Sequence, residues 1–274
     1  MEHLGFEIIT GPAIEPITMA ELRLLCRVGP DDTTRDALLR LNCTAARETT
    51  ELMLGMAVGQ QVIEDTHDGW PAEFCLRRSP VHSVTSIKYF DEDNVEHTVD
   101  PSTYYLNAVR EPKIALLGDE TWTDDALRTS GAIKVRYVAG YGREFTATAD
   151  AGADTLAATS HGLADGDDFL IRSTGTVPGG LASDTRYWVR DAAANTFKIT
   201  STQGGAAIDI TDAGSGTITV TKGIPRPVFN HIGFLVAQWF DINTPAVGNT
   251  IDKAIVEVPN TLKFLSSNVR RWGF

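Results

Sequence analysis

Hydrophobic and polar positions fall into three regimes along the chain. The first is helical. Thr18 and Glu21 have the spacing of a capping box, and Ile17 and Leu22 that of a hydrophobic staple. A short helix is therefore expected to carry Leu22, Leu25 and Cys26 on one face before Gly29-Pro30 ends it. Asp31-Asp32-Thr33 then opens a longer helix. Leu38, Leu41, Ala45, Leu52 and Met56 fall near one stripe at steps of three and four, with Arg40, Arg47, Glu48 and Glu51 largely off it. Gly55 and Gly59 weaken its far end.

From Gln60 to Gly142 the period shortens to that of strands. QQVIEDTHDGW and EFCLRRSP are expected as two strands joined by a hairpin at Asp68-Gly69. VHSVTSIKYF, VEHTVD, TYYLN, KIALL and AIKVRYVAG follow as further short strands, with a turn at Asp91-Glu92-Asp93-Asn94. In the last of them Ile133, Val135, Tyr137 and Ala139 alternate with Lys134, Arg136 and Val138.

The third regime, residues 145–222, is rich in Thr, Ala, Gly and Asp. Strand-like runs such as DTLAAT, DDFLIRST, TRYWVRD, NTFKITS, AIDIT and GTITVTK are separated by Gly, Asp and Asn clusters, the pattern of a small all-β module. Helical spacing then returns. Val228, His231, Ile232, Leu235, Val236, Trp239 and Phe240 form a broad apolar face, with Pro227 near the first turn. A polar stretch precedes a short final helix after Pro259, with Leu262, Leu265 and Val269 inward. The expected fold class is α+β, a helical core with a short-stranded β section and an inserted small all-β domain.

Composition narrows the function classes. With 42% hydrophobic and 22% charged residues the chain has the balance of a folded globular protein. A net charge of −12 disfavours a surface that grips nucleic acid, because phosphates must be neutralised by Lys and Arg. No apolar run reaches the length of a membrane span, and no secretory leader is expected at the N-terminus. Cys26, Cys43 and Cys75 are odd in number and far apart, which suits buried thiols rather than disulfides or a zinc site.

Candidate chemistry is sparse. Gly140-Tyr141-Gly142 follows a strand, as a nucleotide-binding turn does. However, the third glycine is missing, and Arg143 to Thr148 lead into strands rather than into the helix that would hold a pyrophosphate. These glycines are expected to end a strand. The six histidines are isolated, and the acidic runs at Asp91 and Asp165 suit turns better than calcium loops. His67 with Asp65 and Asp68 suits a strand and turn better than an acidic site. No catalytic residue, cofactor or metal ligand is expected. The tail is distinctive: Arg270, Arg271, Trp272 and Phe274 are residue types that anchor interfaces.

The ordered set of these runs resembles the head–tail connector (adaptor) family of tailed bacteriophages. The likeness rests on Arg78, Pro80, Val81, Ser83, Val84, Ser86, Ile87, Tyr89 and Asp91, on Tyr137, Ala139, Gly140, Tyr141 and Gly142, and on Pro225 or Pro227 with Trp239. It covers most of residues 14–142 and 223–271. The chain between them resembles a β module recurrent in phage structural proteins, through His161-Gly162-Leu163, Gly166-Asp167, Thr174-Gly175-Thr176 and Asn195-Thr196-Phe197 among others.

The resemblance implies a discontinuous connector core, residues 1–144 and 223–274, with a β domain inserted at 145–222. It implies a non-enzymatic virion protein, made in the host cytoplasm and built into the capsid–tail neck. Twelve copies would form a ring under the portal protein, extend the DNA channel and offer the tail an attachment site, with a tail terminator or other neck protein as neighbour. Double-stranded DNA would pass without specific binding, and no membrane is involved. Portal binding is expected from Asn268, Val269, Arg270, Arg271, Trp272, Gly273 and Phe274. Subunit core or contact positions are expected at Leu38, Leu41, Leu52, Val228, Ile232, Leu235 and Trp239. The alternatives are a tail-side protein, such as a tail terminator or baseplate component, and a carbohydrate-binding or carbohydrate-active protein using Tyr187 and Trp188. Strand alternation puts those two side chains on opposite faces, which weakens the last.

Overall fold

The computed structural model describes residues 3–108 and 111–243. Among them lie fourteen strands and three helices, in two compact units. One unit holds residues 3–14 and 47–141, the other residues 15–46 and 142–243. The expected helical connector core is therefore overturned: the chain is mostly β, with a closed six-stranded barrel. The helix signals were conspicuous because caps and glycines mark them. Several strands are only three or four residues long, too short to show a period.

The first unit contains β1 (His3–Thr10), β2 (Gln61–His67), β3 (Glu73–Cys75), β4 (Val81–Phe90), β5 (Glu96–Thr98), β6 (Tyr104–Asn107), β7 (Lys113–Leu116) and β8 (Ile133–Ala139). An antiparallel sheet runs in the order β1-β2-β8-β4-β5, and a smaller one in the order β3-β7-β6. Both contribute to one core. Phe74, Ile114 and Tyr104 of the small sheet join Ile63, Ile87, Val135 and Tyr137 of the large one. The alternation in β8 places Ile133, Val135, Tyr137 and Ala139 in this core. Tyr137 lies opposite Ile63 on one side and Val84 on the other, so one apolar layer crosses the sheet.

The expected hairpin at Asp68-Gly69 does not form. β2 pairs with β1 and β8, so both its ladders are occupied, and β3 pairs with β7 instead. Neither Asp68 nor Gly69 has the positive φ that a tight two-residue hairpin turn requires. The Asp68 carboxylate accepts a hydrogen bond from Gly131 N at 2.7 Å, tying this turn to the start of β8 rather than to β3.

The second unit contains α1 (Met19–Leu25) and the start of α2 (Asp36–Leu54). It also holds β9 (Glu144–Asp150), β10 (Thr155–Ala157), β11 (Asp168–Ser173), β12 (Arg186–Arg190), β13 (Thr196–Thr200), β14 (Ile218–Lys222) and α3 (Arg226–Asn243). The six strands close into an antiparallel barrel in the order β10-β13-β12-β11-β14-β9. Its interior is filled by Leu156, Phe169, Ile171, Val189, Phe197, Ile199 and Val220, so the barrel is a packed core rather than a container. The AIDIT run forms no strand; Ala207 makes a single bridge to Thr200, and Ile210 is buried.

The capping box of α1 is formed as its spacing predicts. Glu21 N donates to Thr18 Oγ1, and Thr18 N donates to Glu21 Oε2 at 2.9 Å. The helix stops at Leu25, earlier than the Gly29-Pro30 signal, because Arg27 enters positive φ. α2 starts at Asp36 rather than at Asp31, since Asp32 accepts from Thr34 N and Oγ1 and holds the preceding residues in a turn. Its C-terminus has the Schellman arrangement, with Gly55 at positive φ and Met56 N donating to Glu51 O. α1 packs against α3 at Gly233, where an added Cβ would stand 2.9 Å from a Leu25 methyl.

Candidate interaction surfaces

The residues that carried the family likeness organise cores rather than a reaction centre. Arg78 is buried and donates through Nη1 to the carbonyls of Glu51 and Met56, its N–H donates to Tyr137 Oη, and its guanidinium lies 4.7 Å from the Phe6 ring centre. Tyr137 Oη donates in turn to Asp65 Oδ1 at 3.2 Å. Burial pushes the Asp65 carboxyl up to about 6, against the opposing pull of the Arg77 N–H and the tyrosine hydroxyl. Tyr141 Oη sits 3.6 Å from Met56 Sδ. Gly140 has φ +134° and lies against Gly59, whose carbonyl oxygen would be 2.1 Å from an added Cβ. This glycine ends a strand at a backbone contact, and β9 rather than a helix follows.

Glu51 is the hub of a second buried group. Its carboxylate accepts from Arg47 Nη1 at 3.0 Å and from Val58 N and Gln61 Nε2, both at 2.8 Å. Helical spacing alone does not reveal this, because Arg47 and Glu51 look like one exposed i, i+4 pair on a helix surface.

In the second unit Arg186, on β12, performs the equivalent task. It donates to both carboxylate oxygens of Glu21 at 2.6 and 3.0 Å, to Pro16 O at 2.7 Å, and to Asp168. Its guanidinium also lies 5.1 Å from the Phe229 ring centre. Burial works against the Glu21 carboxylate, but Arg186 and the cap of α1 outweigh it and hold its pKa below the ordinary value. Asp184 adds an acceptor for Met19 N at 3.2 Å. The start of α1 is thus fastened to the barrel by charge-assisted bonds.

The acidic runs behave as turns. Asp91 accepts from Val95 N and faces His97 Nε2 at 2.7 Å, and Asn94 takes positive φ. Asp165 accepts from Ala192 N and Asp167 from Ala164 N. No group of three or more His, Cys, Asp or Glu among the described residues is arranged to hold a metal ion, and no described helix is long and apolar enough to cross a membrane. Tyr187 is buried in the barrel core while its neighbour Trp188 is half-buried on the other face.

The positions expected at a subunit core or contact divide. Val228, Ile232 and Leu235 are buried along α3, and Trp239 is half-buried. Leu38 is half-buried, whereas Leu41 and Leu52 are 66% and 77% exposed. The buried stripe of α2 is instead Leu39, Cys43, Ala46, Thr50 and Leu54. α2 therefore has a second apolar side facing outward. Leu41 and Leu52 are three helical turns apart, within about 20° of each other around the axis, with Ala45 between them. Leu24 of α1 (78%), Phe234 of α3 (53%), and Phe6, Ile8 and Ile9 of β1 add further exposed apolar side chains. The expected portal-binding residues, Asn268 to Phe274, and the final helix after Pro259 lie outside the described residues.

No protein-family model matches this chain, and no curated protein matches it. Among solved structures, chains from the neck of empty and of native gene transfer agent particles, computed with C6 and C12 symmetry, share 23% and 22% identity. They cover 50% and 51% of this chain and 72% and 71% of their own, with TM-scores of 0.43 and 0.42. A chain from the virion of a native gene transfer agent particle matches more fully. At 14% identity it covers 97% of this chain and 94% of its own length with a TM-score of 0.54, so this chain is similar in fold, along almost its whole length, to a virion chain.

Proposed function

We infer that this protein is a structural component of a phage-like virion, a connector at the head–tail neck. The observation that carries the reading is the fold likeness to a virion chain over 97% of the sequence. The outward apolar side of α2 supports it, since large apolar side chains at helical spacing on a surface suit a protein contact. In this reading twelve copies close a ring by heterologous contacts, one face of a subunit against a different face of the next. Leu41 and Leu52 contribute to that contact, and Asn268 to Phe274 reach the portal. The ring extends the DNA channel, DNA passes an acidic wall without being held, and the tail attaches through a terminator or another neck protein. The barrel is an insertion at residues 145–222 that projects from the outer side of the ring. The protein performs no catalysis.

Mixing the purified protein with the portal ring of the same genome, followed by electron microscopy, tests this. The expected product is an added ring of matching symmetry on the outer end of the portal. A bare portal together with binding to the tail tube would replace the connector by a tail-side protein. Removal of residues 268–274 is expected to abolish portal attachment with thermal stability unchanged, and retained attachment would remove that segment from the reading.

A further inference from the structure

The large sheet of the first unit has a different edge at each end. At one end β1 pairs with β2, and no other described strand runs along its outer ladder. Arg78 packs over the Phe6 ring there, a side-chain contact that adds no strand to the ladder. At the other end β5 pairs only with Lys88–Phe90 of β4, and no described strand runs along Ser83–Ser86 on that side. Sheet edges in isolated domains are usually blunted by charge or proline. Gly5–Thr10 holds one charge, Glu7, and Ser83–Ser86 holds none; neither contains proline. Bulges at His82 and Thr85 twist the β4 edge without charging it.

The two edges suit each other in direction. β1, β2, β8 and β4 are each antiparallel to the next, so β4 runs opposite to β1. Copies related by the rotation axis of a ring all point the same way along that axis. The β1 strand of one copy therefore meets β4 of the next antiparallel, and the ladder of the sheet continues across the junction.

The edges also suit each other in charge. Directly opposed residues of an antiparallel pair share a face. On the face turned away from the core, Glu7 lies opposite Glu64 at the β1 end. Lys88 lies opposite Lys134 near the β4 end, with Arg136 next on the same face of β8. Each end thus holds a like-charge pair, negative at one and positive at the other. Glu64 is compensated by Lys134 and Arg136, and Lys88 by Glu96, whereas Glu7 forms no ion pair with any described residue. Strand addition between copies brings Glu7 to the basic end.

We propose that neighbouring copies of this chain join by strand addition, the outer edge of β1 in one copy pairing with Ser83–Ser86 of β4 in the next. One antiparallel sheet then runs through the ring, with main-chain bonds supplying the pairing. The inference rests on the ring reading above, to which it adds the strands at the junction, and its test needs no portal.

The test is disulfide trapping between copies, with cysteines on the charged face. The exposed Cys75 is replaced by serine; Cys26 and Cys43 are buried. Chains carrying Glu7→Cys are mixed with chains carrying Ser83→Cys or Ser86→Cys and mildly oxidised. A cross-linked dimer is expected from one of the two mixtures and from no chain alone. A single chain with both substitutions of that pair is expected to give a ladder of larger species. Dimers from Glu7→Cys alone would overturn the head-to-tail pairing in favour of β1 against β1, and no cross-link in either mixture would overturn strand addition altogether. Amide hydrogen exchange gives a measurement that does not depend on cysteine geometry. Protection of Gly5–Thr10 and Ser83–Ser86 is expected to rise with protein concentration while the amides of β2 and β8 stay unchanged. Exchange independent of concentration at both edges would also sink the proposal. A ring on the portal without these cross-links would remove this junction and leave the neck reading standing; a cross-linked ladder from a chain that ignores the portal would do the reverse.

Discussion

Asp65 and His231 are both buried, and pH acts on them with opposite sign. The folded pKa of Asp65, about 6, lies above its ordinary value of 3.8, so the fold favours the protonated form. Its contribution to stability is greatest below 3.8 and is lost as pH rises through about 6, an effect on the order of 3 kcal/mol. Asp65→Asn is expected to flatten urea midpoints between pH 4.5 and 7.5 relative to the parent; parallel profiles would show that the carboxyl is not titrating there. His231 is buried in α3 with neither ring nitrogen bonded among the described residues, and desolvation lowers its pKa below 6.5. Its contribution is complete above 6.5 and is lost as pH falls through the lower folded value. His231→Leu is accordingly expected to remove acid sensitivity just below neutrality, measured by thermal melts from pH 7.5 to 5. Gly140→Ala combines an unfavourable φ with a collision against the Gly59 carbonyl, and a loss of about 3 kcal/mol or more is expected by chemical denaturation. None of these three environments was legible in sequence. Gly140 was visible as a strand end, but its neighbour lies 81 positions away in the chain.

Among the elements, α1 and β8 were legible, because a capping box and a strict alternation are local signals that tertiary contacts did not contradict. α2 was legible as a helix but not as to which side it buries. Leu38, Leu41, Ala45 and Leu52 form the more apolar stripe, yet the opposite side, with Cys43, Thr50, Arg47 and Glu51, is the buried one. Polar residues can line a buried face when every charge has its partner, and no residue inside the helix reveals that Val58 and Gln61 will complete the shell of Glu51. Removing the hub should be costly. Glu51→Ala leaves Arg47 buried with its main partner gone, and a destabilisation of roughly 3–5 kcal/mol is expected in urea titrations. Arg186→Met tests the second cluster in the same way, leaving Glu21 and Asp168 without their shared cation. A lower thermal midpoint is expected, together with faster exchange of the α1 amides than of the barrel strands.

At the scale of the molecule, Leu41→Lys with Leu52→Lys separates fold from assembly. Both side chains are exposed in the single chain, so the melting temperature is expected to hold while the self-association that the proposed ring requires, read by sedimentation velocity, is lost. Unchanged self-association would move the contact elsewhere. Excision of residues 145–222 is a sharper trial of the insertion reading than it looked from sequence. It removes Arg186, Asp168 and Asp184, and so unfastens α1. Retained folding of the excised chain would support an insertion on an older frame. Loss of folding that Glu21→Gln partly restores would trace the failure to the orphaned carboxylate.

The sequence by itself determined the capping box of α1, the alternation of β8, the turns at Asp91 and Asp165, and the presence of short strands within residues 145–222. All of these rest on interactions within a few residues. Only the tertiary structure decided that β1 is a strand, that β2 pairs with β1 and β8 instead of making a hairpin, that six strands close into a barrel, and which side of α2 is buried. Those outcomes depend on partners tens of residues away, and a period in the sequence shows that a face exists without showing what will cover it.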